Sequence, residues 1–510
     1  MSRYDALKSG TDLRAVALGE NAALTADTAR LIGRAFAHWV RQQRTERGAK
    51  DVQLVLALGR DSRLSGENLL HACAEGMVLE GAKALDFGMC TTPAMFMCLT
   101  GDEPVAHASV MVTASHHPSD RNGFKFFIPD GGISSKDLSQ IINLMETLEG
   151  SLPEGTPGEI VAHDFRSTYI AQLKQLVQQK LDDPVECPLL GLHVVVDAGN
   201  GAGGFYADML KDLGAWTEGS QFLDPDGHFP NHVPNPEAPE AIESLSEAVV
   251  KHTADLGVIF DADCDRAAVV DQSGLAINRN RLIALISAML LNTEPGLTIV
   301  TDSVTSSGLS KFIGKWGGEH YRFKRGYRNV IDEAKRLNEA GVNCPLAIET
   351  SGHAALREND FLDDGMYLST LLICEAMRLK REGKTLASLL EGLQEPVESV
   401  ELRLNILDED FRSKGKELIE KVMDHASDTA GWHIAPDNRE GIRISFSLDH
   451  GTDNAWFLLR LSVHDPVLPL NVESDVPGGV HRILKDLLAV IHDTPGVDFA
   501  PIREYLSAQP

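Results

Sequence analysis

Positive charge is in short supply: 47 Lys and Arg stand against 74 Asp and Glu, a formal charge of −27 over 510 residues. That balance argues against a nucleic-acid or anionic-membrane protein, because binding to phosphate backbones and acidic lipid runs on Lys and Arg. A phosphate ligand would need a local basic pocket against this background. Long apolar runs are missing too, and none approaches the ~20 residues that a spanning helix needs. Arg3, Asp5, Lys8, Asp12 and Arg14 interrupt the N-terminal stretch, so no secretory signal core is expected there. The seven cysteines (73, 90, 98, 187, 264, 344 and 374) are scattered, with no C-x-x-C. That usage favours reduced thiols in a cytoplasm over a disulfide or zinc scaffold. The chain holds no G-x-x-x-x-G-K-[ST], which excludes a P-loop nucleotidase, and no G-x-S-x-G elbow, which weakens an esterase reading.

What is present is ordinary globular material, 43% hydrophobic and 24% charged, enough for several cores over three to four domains. Strand-like and helix-like segments alternate. Leu31, Ile32, Phe36, Trp39 and Val40 recur at helical spacing, with Thr25 as the cap of a helix over residues 24–42. The run 52–58 reads as a strand buried on both faces, 192–196 as a buried strand, 256–260 as an apolar strand, 297–300 and 345–348 as further strands, and FYADMLKDLG and 281–291 as helices. From about Val400 the pattern changes: VELRLNI, IRISFSL and WFLLRLSV alternate like antiparallel strands with one wetted face. The expected fold is therefore α/β, with three strand–helix domains on mixed sheets and a smaller C-terminal α+β domain. The expected boundaries are 1–160, 161–277, 278–395 and 396–510. Leu223–Ala241, rich in Pro, Asn and Asp, reads as a long ordered loop, most simply a surface connection.

Four stretches carry candidate chemistry. Asp261, Asp263 and Asp265 follow a buried strand, and three carboxylates at that spacing repel one another unless a cation joins them. An EF-hand loop is disfavoured, since Arg266 stands where Gly is required and Gln272 where Glu is expected. Ser115 lies among small residues beside His116 and His117, with Arg121 and Lys125 as nearby cations; a hydroxyl nucleophile needs such a base or a metal. A plain loop with a satisfied histidine is the alternative. Glu349, Ser351 and His353 offer donors and acceptors suited to sugar hydroxyls, although Thr350 or Ser351 also reads as a helix cap. Arg460, Ser462 and His464 alternate, and share one face if the run stays extended, as a phosphate clamp or an ordinary strand edge. Gly199–Gly204 fits G-x-G-x-x-G formally, a weak dinucleotide signal without its acidic partner.

Taken in order, SGTDLRAV, GRDSRLSG, TASHHPSDRNGFKFF, DADCDR, ETSGH and RLSVHDP span nearly the whole chain. This series resembles the α-D-phosphohexomutase superfamily, and the S-G-H ending is similar to its phosphomannomutase/phosphoglucomutase branch. The resemblance implies four domains around a central cleft, carrying in turn a phosphoserine, a metal, the sugar and a phosphate. It implies an enzyme that interconverts hexose 1-phosphate and hexose 6-phosphate, of glucose or mannose, through a hexose 1,6-bisphosphate that also serves as activator. Ser115 would carry the phosphoryl group and, with Asp261, Asp263 and Asp265, hold Mg²⁺. Arg266 would steady the phosphoserine. Arg14, Lys125 and His353 would serve proton transfer and charge neutralisation, in an order the sequence leaves open. Glu349 and Ser351 would grip sugar hydroxyls; Arg325, Tyr327 and Arg328 would lie in a specificity loop; Arg460, Ser462 and His464 would hold the idle phosphate. A small phosphosugar is the implied partner, with no nucleic acid and no membrane, and a monomer or small homo-oligomer is expected. Departures from the family pattern are His117 for Asn, Ala262 and Cys264 for Gly, and Val463, His464 and Asp465 for Gly-Thr-Glu. A phosphoglucosamine mutase, a haloacid-dehalogenase-type phosphatase (suggested by VIFDADCD) and a non-catalytic sugar-phosphate-binding paralogue are the alternatives.

Overall fold

The computed structural model describes residues 3–50, 52–101, 103–152, 156–182, 186–462 and 465–508. The chain packs as two compact units. The first comprises Met1–Asn278 together with Ser351–Ala355 and Leu362–Ala387, and the second Arg279–Thr350 with Leu356–Phe361 and Ser388–Pro510.

Two mixed sheets build the first unit. The larger runs in the order Lys8–Ser9, Asp12–Val16, Arg121–Ile128, Ala108–Val112, Val55–Arg60, Lys83–Met89 and Ile160–Ala162. Its central strands pair in parallel and its Arg121–Ile128 side is antiparallel. The helical spacing noted above becomes the helix Ala26–Glu46, capped by the Thr25 hydroxyl, which accepts from the Thr28 N–H at 3.2 Å. Phe36, Trp39 and Val40 bury that helix's apolar stripe against Phe124 and Phe126 in one core. The smaller sheet runs Ala276–Ile277, Ala267–Asp271, Leu256–Phe260, Val194–Asp197, the last two strands parallel. Wholly buried Val and Ile at Val194–Asp197 and Leu256–Phe260 match the uninterrupted apolar reading of both segments.

The second unit carries three parallel strands, Glu319–Arg322, Thr298–Thr301 and Leu346–Ile348. They are joined through the helices Ser307–Lys315 and Tyr327–Glu339. Its C-terminal part is an antiparallel sheet in the order Glu398–Asn405, Val467–Ser474, Ala455–Leu459, Ile442–Phe446, His433–Ile434. Three helices, Phe411–Asp428, Gly479–Ile491 and Ala500–Ala508, contribute to the core of that part. The expectation of three strand–helix domains and a smaller α+β domain is met in the folding of the chain.

One local expectation is corrected. The alternation in the C-terminal strands does not leave a wetted face on the central ones, where only the outer Glu398–Asn405 alternates in exposure. On the face away from the helical core, Arg443 stacks on the Trp456 ring at 3.6 Å and donates to the carbonyl of Ser303 at 2.9 Å, which seals that side. Past the strand end at Leu459, the Arg460 and Ser462 N–H groups still donate across to the carbonyls of Pro469 at 3.2 Å and Val467 at 2.9 Å.

Candidate active site

In the first unit, the segments that follow the strands Val55–Arg60, Lys83–Met89, Ala108–Val112 and Leu256–Phe260 supply side chains of one buried polar centre. This is where open α/β sheets place their ligands, beyond the carboxyl ends of the strands. Ser115 lies at its middle, 3% exposed, with a left-handed backbone at φ 51°. A serine rarely adopts that conformation, and the surroundings enforce it. The buried Arg63 guanidinium donates to the carbonyls of Ser115 (2.6 Å), His117 (2.6 Å), Pro118 (2.7 Å) and Arg121 (2.9 Å). The Thr113 hydroxyl accepts from the Ser115 N–H at 2.8 Å and donates to Asp61 at 2.6 Å. Arg63 and Asp61 thus fix the loop from beneath.

The serine hydroxyl donates to Asp261 Oδ2 at 2.8 Å and accepts from Arg266 Nη2 at 3.3 Å. His116 Nδ1 lies 3.2 Å from the same oxygen. Burial, then the charges of Arg266 and its neighbours, drives His116 down to about 2, so it is neutral at physiological pH. Arg266 holds Asp261 as well, through Nε on Oδ2 at 3.0 Å and its own N–H on Oδ1 at 3.2 Å.

Asp261, Asp263 and Asp265 are fully or almost fully buried, and each offers a carboxylate oxygen within 4.8 Å of the others'. Lys125 Nζ donates to Asp263 Oδ2 at 2.8 Å and also to Asp265 Oδ2. The Thr92 hydroxyl donates to Asp263 Oδ2 at 2.5 Å. Asp263 Oδ1 and Asp265 Oδ1 remain buried without a hydrogen-bond partner. Burial and the two neighbouring carboxylates push Asp261 well above the ordinary range. Three buried carboxylates with two unanswered oxygens fit a hard divalent cation, which takes oxygen ligands and leaves positions for a phosphate oxygen. Cys264 turns this loop at φ 64°, a left-handed position that favours glycine. The glycines of Gly199–Gly204 have a packing role here: a Cβ at Gly201 would meet Ala262 Cα and O at 2.7 Å. They seat the turn against the aspartate loop, where the Ala202 N–H donates to the Ala262 carbonyl at 2.9 Å.

Arg14 crosses the sheet over Gly123, where any Cβ would meet the Leu13 carbonyl at 2.4 Å and Arg14 Cγ at 2.8 Å. It donates to Asp12 at 2.8 Å and feels the charges of Asp263 and Asp265. Ser351 and His353 belong to the first unit, where His353 bridges to Arg266 through the backbone. The His353 Nδ1 pairs with Asp363 Oδ2. Burial opposes charge on His353, yet Asp363 and Asp265 outweigh it and raise the imidazole to about 9. Burial also pushes the Asp363 carboxyl upward. The proton nonetheless belongs on the imidazole, because Asp363 Oδ1 accepts from the Ala354 N–H at 3.0 Å while Oδ2 faces Nδ1.

The remaining candidates lie in the second unit. Glu349 Oε1 accepts from the Gly326 N–H at 2.6 Å, and the Arg325 N–H donates to Glu440 at 3.1 Å. Tyr327 and Arg328 open a helix, with Arg328 Nε on Asp332 at 2.9 Å. Arg460 is 9% exposed with its Nε unpartnered, and Ser462 Oγ accepts from the Asp465 N–H at 3.3 Å. His464 lies outside the described residues. Sequence reasoning missed the working roles of Asp61, Arg63, Thr92 and Asp363. The one signal available was the G-R-D-S-R run, quoted above without a role.

Residues 7–150, 167–274 and 278–397 match the phosphoglucomutase/phosphomannomutase α/β/α domains I, II and III. A phosphoglucomutase of Neisseria gonorrhoeae is 30% identical over 474 residues, 92% of this chain and 94% of that one. A phosphomannomutase/phosphoglucomutase of Pseudomonas aeruginosa is 30% identical over 461 residues, 90% of each chain. The solved structure of a phosphoglucomutase/phosphomannomutase family protein from Burkholderia thailandensis superposes with a TM-score of 0.79 at 28% identity, covering 98% of this chain and 99% of that one. No helix among the described residues is long and apolar enough to cross a membrane. With three consecutive domain matches and end-to-end relatives, the chain belongs to the phosphoglucomutase/phosphomannomutase family of phosphohexomutases.

Proposed function

We propose that this phosphohexomutase interconverts the 1- and 6-phosphates of glucose, mannose or both through a phosphoserine at Ser115 and a hexose 1,6-bisphosphate. The observation that carries the reading is the strained Ser115 hydroxyl set between Asp261 Oδ2 and Arg266 Nη2. In the forward direction a sugar hydroxyl oxygen bonds to the phosphorus of phosphoserine as the Ser115 Oγ–P bond breaks. The sugar hydroxyl's proton passes through the side chains of the site to the departing Ser115 oxygen. In the return step the Ser115 oxygen bonds to the bisphosphate's other phosphorus as the sugar O–P bond there breaks, and the serine proton passes back to that sugar oxygen. Such transfer asks the protein for alignment and charge stabilisation above all. Arg63 and Thr113 hold the loop, and Arg266 Nη2 faces the oxygen that bears or receives the phosphoryl group. His353, charged by its carboxylates, and Lys125, pulled well above its ordinary range by Asp263 and Asp265 against burial, are protonated at neutral pH. They act first as proton donors and counter-charges. Asp261, Asp263 and Asp265 are the proposed Mg²⁺ ligands. Bound there, the ion would supply Lewis-acid neutralisation of charge on the transferring group.

Glu349 and Ser351 are proposed to bind sugar hydroxyls, with Arg325, Tyr327 and Arg328 as specificity residues and Arg14 as a neutralising cation. Arg460, Ser462 and His464 are the proposed grip on the idle phosphate. The burial and unpartnered Nε of Arg460 support that role. The seven free cysteines, six of them buried, support a cytoplasmic setting. The acidic composition supports the absence of a nucleic-acid partner, and a monomer or small homo-oligomer is proposed. Parallel turnover on glucose, mannose and glucosamine 1-phosphates, with Mg²⁺ and a bisphosphate activator, tests the assignment: exclusive use of the amino sugar would overturn it.

A further inference from the structure

The loop Leu223–Ala241, which reads from its composition as a surface connection, keeps Asp224, Pro225, His228, Pro230 and Asn231 exposed while it buries Gly227, His232, Pro234 and Pro236 within the first unit. Its base is riveted to the turn after Val194–Asp197. His232 Nε2 donates to the Asp197 carboxylate at 3.1 Å and its Nδ1 to the Val233 carbonyl at 2.8 Å, so both ring nitrogens carry protons. Asn231 donates to Asn200 Oδ1 at 2.7 Å, and Asn200 Nδ2 donates to the Asp224 carbonyl at 2.9 Å.

From that base the loop reaches both arginines of the serine centre. The Phe229 ring lies under the Arg63 guanidinium at 5.2 Å. At Gly227 a Cβ would meet the backbone of Ser62 and Leu64 at 2.5–2.6 Å, so only glycine lets the loop come this close. Two residues then address Arg266. Asn235 Oδ1 accepts from Nη1 at 3.3 Å while also accepting from the Glu237 N–H at 3.1 Å, and Glu237 Oε2 stands 3.8 Å from Nη1.

The Arg266 fork is therefore divided three ways, 2% exposed to solvent. Nε is on Asp261, Nη2 on Ser115 Oγ and Nη1 on the loop. A planar guanidinium fixed at two of its nitrogens cannot swing away from the third contact. We infer that Asn235 and Glu237 are positioning residues for phosphoryl transfer, holding Arg266 Nη1 so that Nη2 stays on the Ser115 oxygen. This rests on the reading of Ser115 as the phosphoryl carrier. Neither residue touches the reacting atoms; both act through Arg266. The 223–241 loop thereby links the support of the serine backbone, at Arg63, to the support of the serine oxygen, at Arg266.

The test compares the full-length enzyme with Asn235→Leu, Asn235→Asp, Glu237→Gln, Arg266→Lys and Ser115→Ala. Leucine keeps the volume of Asn235 and removes the acceptor. A misplaced catalytic group costs on the order of 10²-fold, so Asn235→Leu should lower kcat by that order with KM for hexose phosphate changed by no more than about threefold. Asn235→Asp, which restores an acceptor oxygen, should recover most of the loss, and Glu237→Gln should cost several-fold. In the phosphorylated enzyme the ³¹P resonance of phosphoserine should move in Asn235→Leu and return in Asn235→Asp, a change that a purely structural role for the loop would not produce. In combination with Arg266→Lys, the Asn235→Leu penalty should largely vanish, because the group it positions is already gone. Activity of Asn235→Leu within about threefold of the unsubstituted enzyme overturns the inference. So do additive losses in the double variant, which also decides the matter if Asn235→Leu is destabilised. If Ser115→Ala turns over normally, it is the phosphoserine reading that fails, whatever Asn235 does.

Discussion

Replacing Asp363 by asparagine removes the carboxylate that faces His353 Nδ1 while keeping a side-chain oxygen for the Ala354 N–H. Burial alone would drive the imidazole below its ordinary value near 6.5. Asp363 and Asp265 outweigh burial and bring it to about 9. The rise is worth about 3 kcal/mol in favour of the charged ring, at ~1.4 kcal/mol for each tenfold change. Asp265 is already engaged by Lys125 and lies close to Arg266, so Asp363 supplies the larger share. The substituted amide offers no charge, and His353 should therefore titrate at or below about 6.5. The sign for stability follows from the raised folded value: the pair's contribution is fully present below about 6.5 and fades as pH rises through about 9. The deficit of Asp363→Asn in urea melts should thus be largest in mildly acidic buffer and shrink in alkaline buffer. The assay is the long-range ¹H–¹⁵N titration of the His353 ring, assigned through His353→Gln. An imidazole still titrating near 9 in Asp363→Asn would mean that Asp363 does not hold the His353 charge.

Other outcomes follow from the same geometry. Asp263→Asn should weaken divalent-metal binding by about tenfold or more in calorimetry, and chelation should stop turnover in the unsubstituted enzyme. Full activity in metal-free buffer would contradict the ligand assignment. Arg460→Ala removes a charge-assisted donor worth ~1.5–3 kcal/mol, so KM for hexose phosphate should rise by about tenfold to a hundredfold, read in steady-state kinetics. His232 is raised above its ordinary value because Asp197 outweighs its burial. Its stabilising share is complete below about 6.5 and is lost as pH rises through its raised value. His232→Gln should accordingly cost most at low pH in thermal melts, with a gap that narrows on the alkaline side.

The chain's α/β organisation was legible because its buried strands are short apolar runs and its helices carry strong apolar stripes. Ala26–Glu46 and Leu256–Phe260 lie within a few residues of where periodicity puts them. The aspartate loop was legible as chemistry since three carboxylates so close together have few inert explanations. What the sequence hid were contacts between distant segments. Arg63 donates to a carbonyl 52 residues away, and Asn235 receives Arg266 across 31 residues. No local spacing encodes either. At the 223–241 loop, Pro and Asn mark a turn-rich surface path, but composition does not show that Phe229 and Asn235 reach inward to Arg63 and Arg266. Alternation misled at Ile442–Phe446, because Arg443 and Trp456 read as solvent-facing yet shield each other against the Ser303 segment.

The phosphoryl carrier is tested most directly by incubating the enzyme with a hexose 1,6-bisphosphate labelled with ³²P, quenching, and mapping the labelled peptide before and after a chase with unlabelled hexose phosphate. Acid-stable label is expected on the peptide containing Ser115, transferring quantitatively to the sugar during the chase. Label held as a hydroxylamine-sensitive acyl phosphate on the Asp261–Asp265 peptide, or label on Ser115 that no sugar phosphate removes, would contradict Ser115 as the carrier.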